Sequence, residues 1–123
     1  MTETRFSLLT RAKSFRHAFA GIGFMLKTQH NAWAHLAASI VVIVAGFALH
    51  ISAEDWRWII LAILLVWVCE AVNTAFEHLC DVVSPQFHAS VKRSKDIAAG
   101  AVLIAAVGAC VIGAMIFVPY LNG

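Results

Sequence analysis

Apolar residues crowd into three nearly unbroken runs, 32–51, 56–69 and 97–120, separated by short polar stretches. The first and third reach the roughly 20 residues that a helix needs to cross a bilayer. The fourteen residues of the second rise only about 21 Å, against a hydrocarbon thickness of about 30 Å, so that helix must carry polar residues part of the way through. Ahead of these runs, Leu8, Ala12, Phe15, Phe19, Ile22 and Leu26 recur at steps of three and four, while Arg5, Lys13, Arg16, His17 and Lys27 take the other side of the wheel. That pattern predicts an amphipathic helix over 1–28 lying on a membrane surface, with Gly21 and Gly23 as kink points. It serves either as an anchor or as a lid. The expected architecture is an all-α integral membrane protein forming one domain over 1–123, with membrane helices at 31–51, 56–83 and 96–121.

Composition agrees: 61% of the 123 residues are hydrophobic and 13% charged, too apolar for a soluble domain. Charge adds an orientation. Eight Lys and Arg precede the first run or lie between the second and third, against Arg57 alone in the first loop, which predicts that the N-terminus and the second loop face the cytoplasm. No cleavable signal peptide is expected. Thr28 or Asn31 is a candidate cap for the first span, Ser52 with Asp55 a capping arrangement for the second, and Ser84-Pro85 a stop. Cys69, Cys80 and Cys110 lack metal-binding spacing and read as small apolar residues, and His78 with Cys80 is a weak zinc signal. The small residues Ala101, Ala105, Ala109 and Gly113 stand four apart, a stripe that lets another helix approach and favours an oligomer.

The polar chemistry is concentrated in residues 70–96, which hold four of the seven acidic residues. Glu70, Asn73, Glu77 and Asp81 share an arc of roughly 80° on one helix face. From Trp56, Glu70 lies about 21 Å along the helix, within the membrane, and Glu77 about 31 Å along, at water. Ionisable residues so placed are functional by default, although Glu70 and Asn73 can equally bind neighbouring helices. No Walker or protein-kinase glycine loop is present, but the parts suit phosphoryl transfer. A carboxylate at the water boundary can hold Mg²⁺, a lysine can offset developing charge, and a deeper carboxylate can take a hydroxyl proton. Arg11, at the edge of the apolar face of the surface helix, either snorkels to lipid phosphate or turns toward a nucleotide.

The wording E-A-V-N-T-A-F-E-H-L-C-D over 70–81, S-P-Q-F-H over 84–88 and K-R-S-K-D-I-A-A-G-A-V over 92–102 resembles the prokaryotic diacylglycerol kinase and undecaprenol kinase family. The resemblance implies a homotrimeric enzyme of the bacterial cytoplasmic (inner) membrane that uses Mg²⁺ and ATP to phosphorylate a lipid alcohol, with no nucleic-acid partner. Undecaprenol or a similar polyprenol is favoured over diacylglycerol, and a non-catalytic nucleotide- or lipid-binding assembly is the competing class. By the same resemblance Glu70 is the general base, Glu77 the metal ligand, and Lys95, Asp96, Asn73, Gln86, His88 and His17 nucleotide contacts, to which Arg11 is added from its place on the surface helix. Glu70 and Ala99 would meet the lipid. The sequence departs from the family pattern at Gln29, where a second metal-binding glutamate is usual.

Overall fold

A computed structural model describes residues 7–123 as four α-helices: α1 (Leu8–Thr28), α2 (His30–Ala48), α3 (Ala53–Val83) and α4 (Ala89–Asn122). Arg5 and the first residues of the expected surface helix lie outside the described residues. The Ser7 hydroxyl accepts the Thr10 N–H and caps α1, which runs unbroken through Gly21 and Gly23 where kinks were expected. Leu8, Phe15 and Phe19 are exposed in the single chain, leaving an apolar face of α1 for lipid.

α2, α3 and α4 are each long and apolar enough to cross a membrane, and exposed Ile40, Val44, Leu64, Leu65 and Val107 are the surface such helices offer to lipid or to other chains. This is a multi-pass membrane protein. Three boundaries differ from expectation by more than one residue. α2 ends at Ala48 rather than 51, because His50 turns into the left-handed region at φ 52° and the Ile51 N–H bonds back to the Gly46 carbonyl. The Ser52 hydroxyl accepts the Asp55 N–H at 3.1 Å and opens α3 three residues before Trp56. At the far end, His88 Nδ1 accepts the Ser90 N–H at 3.2 Å, so α4 begins at Ala89 and the basic group Lys92, Arg93 and Lys95 is helical instead of loop.

The link from α1 to α2 also corrects the capping expectation. It is one residue, Gln29, whose side chain makes no capping bond. Thr28 still belongs to α1 and gives its hydroxyl to the Phe24 carbonyl at 2.8 Å, and Asn31 is already inside α2.

α3 and α4 form a long antiparallel hairpin, and α2 packs on α3. Ile51, Ile59 and Ile116 make a buried cluster at the α2–α3 turn, joined by Trp56 and Phe117. There Gly46 is needed for space: a Cβ would stand 2.6 Å from the Trp56 ring. Tyr120, at the end of α4, closes the same corner by donating its hydroxyl to Asp55 Oδ2 at 2.8 Å and accepting the Ser52 N–H at 3.1 Å.

Candidate functional site

α3 is about 46 Å long, so it outreaches the hydrocarbon core. Glu70 sits in its middle part and is 1% exposed. A carboxylate buried at such depth needs hydrogen-bond donors. Two are present. His35 Nε2, from α2, lies 3.2 Å from Glu70 Oε2; with Glu70 ionised the carboxylate can only accept, and the ring nitrogen donates. Thr74, one turn along α3, gives its hydroxyl to Oε1 at 3.5 Å.

Asn73 is also buried, and its Oδ1 has no hydrogen-bond partner, the only buried side-chain polar atom in that state among the described residues. One turn further on, Glu77 is half-buried, and Asp81 is exposed near the end of α3. The helix thus grades from a sealed carboxylate to a solvated one along a single face.

Lys95 reaches across the α3–α4 turn to Asp81 Oδ1 at 2.8 Å, and Lys92 holds Asp96 Oδ2 at 2.7 Å one turn along α4. Both contacts are between exposed or half-exposed groups, so each is a weak tie. His88 spends its Nδ1 on the α4 cap, and Gln86 is exposed, its backbone carbonyl accepting from the Ser84 hydroxyl at 3.1 Å. His17 and Arg11 lie on the exposed surface of α1, and Ala99 on the exposed surface of α4.

The end of α1 comes to this end of α3, with the Phe24 and His78 rings 5.2 Å apart. That contact packs the last turns of α1 on the part of α3 that carries Glu77, and half-exposed Gln29 follows in the α1–α2 link. Among the described residues no three His, Cys, Asp or Glu side chains gather into a metal site. Among the described residues His78 and Cys80 have no third ligand beside them; the His78 ring packs on Phe24, and all three cysteines are free. The oxygen donors Glu77 and Gln29 nevertheless suit Mg²⁺, which commonly takes one or two protein oxygens and completes its shell with water and phosphate.

Three features escaped sequence reasoning. His35 carried a signal that was available, an ionisable residue inside an apolar run. Thr74 stands within the N-T-A motif, and its part becomes visible only where its hydroxyl meets Glu70. The Lys95–Asp81 tie spans fourteen residues and depends on the hairpin geometry, which no local pattern encodes.

The small-residue face of α4 behaves in an unexpected way. Ala105 is buried, but Ala109 and Gly113 line an apolar groove of about 460 Å³ that runs between α2, α3 and α4, and nothing comes within 4 Å of a Cβ at Gly113. His35 forms the polar head of this groove; Glu70 does not line it.

The family model for prokaryotic diacylglycerol kinase matches residues 16–117. The chain is similar to an undecaprenol kinase of Bacillus subtilis, 41% identical over 109 residues and covering 89% of both chains. It is also similar to a diacylglycerol kinase of Synechocystis, 38% identical over 107 residues, which are 86% of this chain and 61% of that protein. A diacylglycerol kinase of Helicobacter pylori is 29% identical over 106 residues, 80% of this chain and 83% of the relative.

Proposed function

This chain belongs to the prokaryotic diacylglycerol kinase family and is a lipid kinase, and from that premise we propose that it transfers the γ-phosphoryl group of ATP to the hydroxyl of undecaprenol or a similar polyprenol. The observation that carries this reading is the gradient along α3: Glu70, 1% exposed at membrane depth, followed by half-buried Glu77 toward water. Such a face brings a lipid-dissolved alcohol to a water-soluble donor. The polyprenol is favoured by the 41% identity to the undecaprenol kinase, and the second reading, diacylglycerol, by the 38% identity to the Synechocystis enzyme.

In the proposed reaction Glu70 accepts the hydroxyl proton as the lipid oxygen forms its bond to the γ-phosphorus, the bond to the β-phosphate oxygen breaks, and ADP leaves. Glu77 and Gln29 would hold Mg²⁺, and Lys95 would exchange Asp81 for phosphate, a change made easy by the exposure of that pair. When bound, Mg²⁺ offsets negative charge on the phosphate oxygens. Asn73 and Asp96 orient the nucleotide, with Gln86, His88, His17 and Arg11 around it and Ala99 against the lipid. The assembly is a homotrimer in the bacterial inner membrane, with the site and the N-terminus on the cytoplasmic side; the distribution of Lys and Arg supports that orientation.

Purified protein supplied with terminally labelled ATP and a panel of lipid alcohols tests the assignment. Label should pass to polyprenols faster than to diacylglycerol. Transfer to diacylglycerol alone would reverse the substrate assignment, and transfer to none would remove catalysis.

A further inference from the structure

Glu70 is not held by its own helix alone. The stronger of its two contacts comes from α2, where His35 meets Oε2 at 3.2 Å, against 3.5 Å for Thr74 at Oε1. The imidazole is itself fixed. Its ring stands edge-to-face with that of Trp67, centroids 6.3 Å apart, Trp67 Nε1–H donates to Ser39 Oγ at 3.1 Å, and the Ser39 hydroxyl donates to the His35 backbone carbonyl at 2.7 Å. These contacts form a closed circuit between α2 and α3 that returns to the turn it started from.

We propose, on the reading that Glu70 is the base, that His35 is its positioning residue: the Nε2–H holds Oε2 and so orients the carboxylate toward the lipid hydroxyl. A sealed carboxylate with one oxygen tied to a neighbouring helix has little freedom to rotate. Fixing the acceptor atom is how outer groups raise the efficiency of a proton transfer without touching substrate. The same donor offsets the cost of an ionised group at this depth, where water does not reach it. His35 also stands where the groove between α2, α3 and α4 ends, so the base is aligned from the side on which an apolar chain has room.

Four proteins test this in the full chain: His35→Ala, His35→Gln, Glu70→Gln and the double variant His35→Ala with Glu70→Gln. His35→Ala should lower kcat by about 10- to 100-fold, the range seen when an orienting partner is lost, with the KM values for ATP and lipid little changed. His35→Gln, whose amide N–H reaches to about the same place, should recover most of that loss. In the Glu70→Gln background His35→Ala should cost nothing more. Unchanged kcat in His35→Ala, equal impairment in Ala and Gln variants, or the same fold loss in both backgrounds would each overturn the proposal. Isotope-edited infrared spectroscopy keeps the test open if His35→Ala does not assemble. The Glu70 carboxylate band, identified by its loss in Glu70→Gln, should show a hydrogen-bonded group in the wild type and in His35→Gln, and a free carboxylate in the wild type would refute the contact. Near-normal turnover of Glu70→Gln would instead sink the base reading on which the proposal rests.

Discussion

Replacing Glu70 by Gln exchanges one oxygen for an amide nitrogen at a site with no room to spare, since Glu70 is 1% exposed. The amide oxygen can still accept from His35 while the new amide N–H donates to the Thr74 hydroxyl, which can accept as well as donate, so what is lost in hydrogen bonding is the difference between a charged and a neutral acceptor, about 1 kcal/mol. Removing a buried charge works in the opposite direction and reduces even that cost. The variant should therefore assemble and bind nucleotide. Turnover is another matter. A general base typically contributes 10²- to 10⁴-fold, equal to about 3–5 kcal/mol on the barrier, and Gln has no proton affinity to replace it. Glu70→Ala supplies the contrast: it leaves a cavity and an unpaired His35 N–H, and should cost about 2–5 kcal/mol of stability. The assay is single-turnover transfer of labelled phosphate to lipid, read beside thermal unfolding in detergent and binding of a fluorescent nucleotide. Turnover of the Gln variant within a few-fold of wild type would refute the base assignment; loss of assembly would mean that Glu70 serves to hold helices together.

Two further predictions concern the metal and the orientation. Activity should require more Mg²⁺ than in relatives with glutamate at the position of Gln29, and Gln29→Glu should lower the Mg²⁺ concentration for half-maximal rate at fixed ATP; superimposable titration curves would remove Gln29 from the metal site. In a background with Cys69, Cys80 and Cys110 replaced, a cysteine at Ser90 should react only with reagent on the cytoplasmic side and one at Ala53 with external reagent, and protection of Ala53 from external reagent would invert the topology.

The membrane helices were legible because each is a run of apolar side chains, a signal that needs no partner to interpret. Helical rise alone predicts that Glu77 lies nearer water than Glu70, and their exposures run the same way. What the sequence concealed lies at helix ends and between helices. The start of α4 was missed because three basic residues in the first two turns oppose the helix dipole, and only the His88 cap and the Lys92–Asp96 pair make that start intelligible. Thr28 looked like a cap for α2 because its hydroxyl suits the task, but its place in the last turn of α1 commits it to the Phe24 carbonyl. His35 was passed over because a histidine in an apolar run acquires meaning only from the residue facing it, and that residue is thirty-five positions away.

The Ile51, Ile59 and Ile116 cluster, the Trp56 ring seated on Gly46 and the Tyr120 tie all lie at one end of the bundle, whereas the polar contacts of the other end are ion pairs between exposed or half-exposed groups. The molecule is sprung like a clothes peg, clamped at the hinge and slack at the jaws. A ligand bound at the jaws would compete with loosely held charges and leave the packing at the hinge untouched.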